Sequence, residues 1–128
     1  MRLFGTWRTN KKLDEAETLN EWKAFQRIFK ASHHNNLVCI GILINGEIVV
    51  FVVNELLPND YTVIHFEKAD EKYIGIYSCL MLENAKILSG IGKKFVNFEQ
   101  DLGIEGLRLG KRAFQPVHFL KKYTLRAR

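Results

Sequence analysis

The sequence predicts a single α/β domain of the α+β kind, in which a mixed, mostly antiparallel sheet carries helices on both faces. Three observations predict it. A chain of 128 residues holds one ordinary domain and is too short for two. Its 47% apolar and 26% charged residues strike the balance of a packed core rather than of a disordered chain. The hydrophobic pattern changes between helical and strand periods along the chain, in the order helix, three strands, helix, strand, helix, strand.

Residues 1–17 read as an N-terminal extension. Thr18-Leu-Asn-Glu21 has the spacing of a capping box, with Thr18 as N-cap and Glu21 reaching back. Leu19, Trp22, Phe25, Ile28 and Phe29 then recur at helical spacing, which predicts a helix from about Leu19 to Ala31 with Trp22 and Phe25 in the core. His33 and His34 follow in a polar loop. With no carboxylate or thiolate nearby they are surface residues, and no metal site is expected. Leu37 to Ile44 and Glu47 to Glu55 are rich in Val and Ile and flank Asn45-Gly46, the signature of a hairpin with a type I′ turn. Leu57-Pro58-Asn59-Asp60 is a second turn, leading to a third strand from Tyr61 to Glu67.

The period then lengthens. Ile76, Tyr77, Leu80, Met81, Ile87 and Leu88 mark one face of a helix from about Gly75 to Leu88, stopped near Gly90 and Gly92. Lys94 to Phe98 reads as a short buried strand. Asp101 is placed to cap a helix that runs to about Phe114 and ends before Pro116. Val117 to Arg126 reads as a last strand bearing basic residues.

Cys39 and Cys79 lie in apolar segments without close spacing, which is neither a disulfide framework nor a zinc pattern and suits a reducing compartment. The first ten residues lack the apolar core of a secretory signal. The longest apolar stretch, Leu37 to Val53, is interrupted by Asn45, Gly46 and Glu47, whereas a spanning helix needs about 20 apolar residues. The expectation is a soluble, cytoplasmic protein. Its net charge of +5 is unevenly placed. Residues 1–85 hold nine basic against eleven acidic residues, a net of −2, and residues 86–128 hold ten against three, a net of +7. Such a cationic end suits nucleic acid, phospholipid headgroups or a phosphorylated cofactor, or is simply a solvated face.

The chemistry-bearing residues gather in the same third. Gly103, Gly106 and Gly110 would share one helix face, suited either to tight packing on the sheet or to close approach of a ligand. Asn97, Glu99 and Asp101 alternate at the end of a strand, so their side chains should point the same way. Ligands of open α/β sheets tend to sit beyond such strand ends. Glu99, with no capping task, is the candidate general base, while Arg108 and Lys111 are candidates for holding an anionic group. Glu67-Lys68, at the end of the third strand, supplies a further ionic pair.

Glu67-Lys68-Ala69-Asp70, Gly75-Ile76-Tyr77, the run from Asn97 to Arg108, Lys111 and Pro116-Val117-His118 together resemble the phosphatidylglycerol lysyltransferase C-terminal domain family. The resemblance covers about Leu37 to Arg126. It implies a single acyl-CoA N-acyltransferase (GNAT-like) domain corresponding to the second of two such halves. It also implies transfer of an acyl or aminoacyl group from aminoacyl-tRNA, acyl-CoA or another activated donor to an amine or hydroxyl acceptor such as a lipid headgroup. Carried over by position, the polar site residues are Glu67, Lys68, Asn97, Glu99, Asp101, Arg108 and Lys111. Phe98 and Phe114 stand where the family pattern has Arg and Tyr. The stretch Asp70 to Ser78, where an acyl-CoA loop would be glycine-rich, holds only Gly75, which favours a tRNA-borne or other donor over acetyl-CoA. Two other readings remain open. One is a non-catalytic half-domain that pairs with a second GNAT-like half or with itself. The other is nucleic-acid binding through the basic end.

Overall fold

The structure is a computed structural model that describes residues 15–31 and 36–127, with side chains from Leu19 onward. Among the described residues, seven elements follow one another: α1 (Glu15–Ala31), β1 (Leu37–Ile44), β2 (Glu47–Leu56), β3 (Tyr61–Ala69), α2 (Ile76–Gly90), β4 (Phe95–Asn97) and α3 (Glu105–Ala113). The strands form one sheet in the order β1-β2-β3-β4. The first two pairings are antiparallel, and β4 joins β3 in parallel after the α2 crossover. Among the described residues, no helix is long and apolar enough to cross a membrane.

The hairpin turns as expected: Asn45 and Gly46 both have positive φ, 51° and 78°, which a type I′ turn requires and whose twist matches the strands. β2 is the central buried strand, and its alternate side chains serve two different cores. Val50 and Val52 pack with Ile64, Ala69, Ile76, Leu80 and Met81 under α2. Phe51 and Val53 pack with Phe25 under α1, where Trp22, Ile28, Leu37 and Phe66 complete the cluster. The Phe25 ring lies 5.3 Å from that of Phe51 and 5.7 Å from that of Phe66, so one aromatic residue anchors the helix to two strands. Helices therefore cover both sheet faces. Asn54, fully buried, donates to Asn84 Oδ1 at 2.9 Å and accepts from Asn84 Nδ2 at 3.2 Å, a reciprocal amide pair that fixes α2 over the sheet.

Several expectations are corrected. α1 begins at Glu15, so Thr18 lies within the helix and is not its cap; Glu21 instead meets Lys68 of β3 at 2.6 Å. α3 begins at Glu105 with Ile104 as N-cap, because Asp101 caps a tight turn ahead of it, accepting from Gly103 N at 2.9 Å. Gly103, at φ 75°, belongs to that turn and shares no helix face with Gly106 and Gly110. A Cβ added at Gly106 or Gly110 would meet nothing within 4 Å, so neither glycine packs on the sheet. No ladder forms over residues 117–126. That segment is exposed, and side chains make its contacts: His118 with Tyr61 and Phe95 of the sheet, and Lys122 with Gln100 beyond β4. A strand needs a neighbour for its backbone hydrogen bonds, and none lies alongside among the described residues. Cys39 and Cys79 are both exposed and free. His33, His34 and the extension up to Asp14 lie outside the described residues.

Candidate active site

β3 and β4 pair only over Tyr61–Val63 and Phe95–Asn97. β3 then runs on to Ala69, while the chain after Asn97 turns away, leaving an opening along the far half of β3. The departure is built into local backbone chemistry. Glu99 sits in the left-handed region at φ 55°, and the Asn97 side chain accepts the Glu99 amide at 2.7 Å, closing an Asx turn at the strand tip. Beyond it Leu102 and Gly103 also have positive φ, so the chain keeps curling until α3 starts.

A bulge decides which β3 side chains face this opening from the α2 side. Val53 pairs with Phe66 but Asn54 pairs with Ile64, leaving His65 without a register partner. The alternation shifts by one there. Ile64, opposite Asn54, and Glu67, opposite Val52, both face α2, although an unbulged strand would send them to opposite faces. Lys68, opposite Phe51, points to the α1 side, where it is buried against Glu21. Glu67 and Lys68 are thus parted by the sheet rather than joined as an ionic pair.

Glu67 is half-buried, and desolvation pushes its carboxyl up to about 7 against the opposing pull of the Lys68 and Lys111 charges. Tyr77, in the first turn of α2, is pushed up to about 12 by burial and by the charges of Glu67 and Glu71, while a hydrogen bond from the Ala69 backbone works the other way. α2 starts from Gly75 at φ 77°, with no side-chain cap and no acidic residue in its first turn, an end that favours an anion electrostatically. Lys111 reaches back from α3 to the strand tip, donating to the carbonyl oxygens of Phe98 at 2.5 Å, Gln100 at 2.7 Å and Glu99 at 3.4 Å. Burial lowers its ammonium below the ordinary range, opposed by the charges of Asp101, Glu99 and Glu67.

The remaining predicted residues have other neighbours. Arg108 is committed to Asp101, at 2.6 Å through Nε, and this hydrogen bond with that of Gly103 holds the Asp101 carboxyl at about 2. Glu99 turns to the other side of the sheet, where its Oε1 lies 3.3 Å from His65 Nδ1 while His65 Nε2 lies 2.7 Å from Glu55. At the basic end, Lys93 donates to the Leu57 carbonyl and Lys94 to Asp60. The opening therefore unites Glu67 and Lys111, and Tyr77 joins them. Sequence reasoning quoted Tyr77 in a helix face and in the Gly75-Ile76-Tyr77 motif without giving it a role, and passed over His65, whose place beside Glu55 depends on a bulge that no residue pattern announces. Phe98 and Phe114, the two departures from the family pattern, stack on each other at 5.2 Å with ring planes 19° apart, so the two differences lie at one contact.

The sequence profile of the family described as phosphatidylglycerol lysyltransferase, C-terminal, matches residues 3–126. The chain belongs to that family. Its GNAT-like fold is shared with solved structures. A conserved protein of unknown function from Bacteroides thetaiotaomicron VPI-5482 is 30% identical with a TM-score of 0.77, over 91% of this chain and 40% of that one. The lysyltransferase-family chain thus spans well under half the length of the Bacteroides protein. An aminoglycoside acetyltransferase from an uncultured soil metagenomic sample, solved with sisomicin, superposes with a TM-score of 0.65 at 16% identity, covering 99% of this chain and 84% of that one. A ribosomal-protein-alanine N-acetyltransferase from Brucella melitensis biovar Abortus 2308 superposes at 0.60 with 14% identity, over 76% and 73% of the two chains. At these identities the two acetyltransferases establish fold alone. No curated protein matches the sequence.

Proposed function

We propose that this lysyltransferase-family domain transfers an acyl or aminoacyl group from an activated donor to an amine or hydroxyl acceptor, such as a lipid headgroup, at the opening between β3 and β4. One observation carries the reading: a half-buried carboxyl raised to about 7 lies at a split in a GNAT-like sheet. Glu67, rather than Glu99, is the general base, because near neutrality it is poised to accept a proton. It takes that proton from the acceptor N–H or O–H as the nitrogen or oxygen bonds to the donor carbonyl carbon. The backbone N–H groups of β3 beyond its pairing with β4 are the proposed oxyanion donors, and Lys111, whose own N–H groups go to the Phe98, Glu99 and Gln100 carbonyls, adds its positive charge. The carbonyl re-forms as the donor's C–S or C–O bond breaks, and the leaving sulfur or oxygen takes the proton of Tyr77, whose phenol at about 12 is protonated at neutral pH. The uncapped start of α2 is the place for donor phosphates, whether of acyl-CoA or of a tRNA acceptor end.

Purified protein supplied in turn with lysyl-tRNA and acyl-CoA, and with amine and lipid acceptors, is expected to release deacylated donor and form product in equal amounts. Glu67→Gln is expected to reduce the rate about 10²- to 10⁴-fold. Undiminished turnover in that variant contradicts the assignment.

A second reading is favoured by a different observation. The chain spans 40% of the Bacteroides protein's length, and Val117 and Leu125 are 81% and 93% exposed, as surfaces awaiting a companion half would be. In that case the isolated domain is inactive, and sedimentation velocity detects a dimer or a complex with the companion.

A further inference from the structure

Every residue from Arg112 to Ala127 is exposed, yet the composition there is not that of a solvated tail. Val117, Phe119, Leu120, Tyr123 and Leu125 put five large apolar side chains into nine residues, and none belongs to either core. Single exposed leucines are ordinary, but a run of this density marks a surface that is covered in use. Cations stand within the run: Lys121 and Lys122 separate Leu120 from Tyr123, and Arg126 follows Leu125. No acidic residue follows Glu105, whereas seven Lys and Arg residues do. Arg108 is spent on Asp101, and Lys111 on the strand-tip carbonyls. Arg112, Lys121, Lys122 and Arg126 have no carboxylate partner among the described residues, and Lys122 meets only the neutral Gln100 amide oxygen, at 3.1 Å.

The chemistry of this surface selects its partner. A nucleic acid would use the cations and the rings of Phe119 and Tyr123, but it has no place for Val117, Leu120 and Leu125. A protein partner would cover the aliphatic side chains, but lysine is depleted from the core of such interfaces, and here two lysines stand in the middle of the run. A bilayer carrying anionic phospholipid takes both. Apolar side chains enter the boundary between headgroups and acyl chains, and tyrosine sits at headgroup level. Lys and Arg lay their stems along that boundary and leave their charges among the phosphates. We propose that residues 117–126 are a docking surface for an anionic bilayer, held by charge and by insertion rather than by recognition of one headgroup. The surface adjoins the opening. Lys122 meets the side chain of Gln100, whose carbonyl receives Lys111, and His118 meets Tyr61 and Phe95, the first residues of the β3–β4 pairing. Docking therefore sets the opening at the membrane surface, whatever group is transferred there.

Binding is measured without any donor, so its outcome is separate from that of the transfer reaction. The full chain is sedimented with vesicles of phosphatidylcholine alone, or of phosphatidylcholine with about one-third phosphatidylglycerol or phosphatidylserine. Both anionic vesicles are expected to bind alike, at least about tenfold more tightly than phosphatidylcholine alone, and more weakly as salt is raised. Each cation near such a surface is worth about fivefold, so Lys121→Ala/Lys122→Ala/Arg126→Ala is expected to weaken binding about 10²-fold. Phe119→Ser/Leu125→Ser is expected to weaken it at least about tenfold while the salt dependence persists. Neither set of residues lies in a core, so both variants are expected to unfold at the wild-type temperature. Unchanged vesicle binding in either folded variant overturns the surface. Binding to phosphatidylglycerol but not to phosphatidylserine assigns the contact to a headgroup site and overturns it as well. So does a wild-type dimer in sedimentation velocity that Phe119→Ser/Leu125→Ser disperses and that leaves vesicles unbound. Tighter binding to a single-stranded RNA oligonucleotide than to anionic vesicles, intact in the serine variant, also overturns it.

Discussion

Burial makes Glu67 a different acid from a surface glutamate, and it does so against the fold's own stability. An exposed carboxyl titrates near 4.5, whereas Glu67 titrates near 7. Below 4.5 the group is protonated in the folded and unfolded chain alike, and nothing is lost. Between 4.5 and 7 the unfolded chain releases the proton while the folded protein retains it, so stability falls as pH rises through that window. The full penalty, reached above 7, is up to about 3 kcal/mol. Glu67→Gln is accordingly expected to unfold several degrees higher than wild type at pH 8 and at nearly the same temperature at pH 4, as measured by calorimetry. An equal effect at both pH values contradicts the burial argument. A residue maintained at a loss of stability is what a site under functional demand looks like. The sequence marked Glu67 through the family resemblance and through its place at a strand end, but it read Lys68 as its ionic neighbour. That error lay in pairing two neighbours along a strand, whose successive side chains point to opposite faces. The bulge at His65 re-aims every side chain after it, and bulges leave no periodic trace to read.

At the scale of elements, α2 is held over the sheet by more than its apolar face. The Asn54–Asn84 pair places two amides in the core, and each satisfies the other. Asn84→Ala strands the Asn54 side chain, which is then left with the longer 3.3 Å contact to the Val38 carbonyl. A loss of about 1–3 kcal/mol is expected in urea unfolding. The double variant Asn54→Leu/Asn84→Leu is expected to lie closer to wild type than the sum of the single changes, because no unpaired polar group remains. Additive losses contradict the pairing. The helix and hairpin elements were legible because their signals are local: the Asn45-Gly46 turn, the aromatic face of α1 and the apolar face of α2. The start of α3 was not, because Asp101 carries the same signal whether it caps a helix or an Asx turn, and the φ of Gly103 decides between them.

The whole molecule is a sheet closed on one side and split on the other. β2 and β3 pair over the full length of the core, whereas β3 and β4 share three residues on each strand before parting. Fold class, the element order as far as α3 and the two helix-covered faces were contained in periodicity. The split was not, since it depends on where a parallel pairing stops, which is a matter of tertiary geometry. Residues 117–126 have the alternation of a strand, yet alternation specifies only a conformation, and the hydrogen-bonding neighbour has to come from elsewhere. Because that segment contributes exposed side chains and no ladder, removing residues 117–128 is expected to change the unfolding temperature by no more than about 2 °C. A large drop places the segment in the core. The central claim is tested most directly by the pH dependence of kcat/KM for group transfer, wild type against Glu67→Gln. The account predicts a rate that climbs tenfold per pH unit on the acid side and levels off above about 7 in wild type, with that rise absent from the variant. A wild-type profile flat from pH 5 to 8, or the same rise in Glu67→Gln, contradicts it.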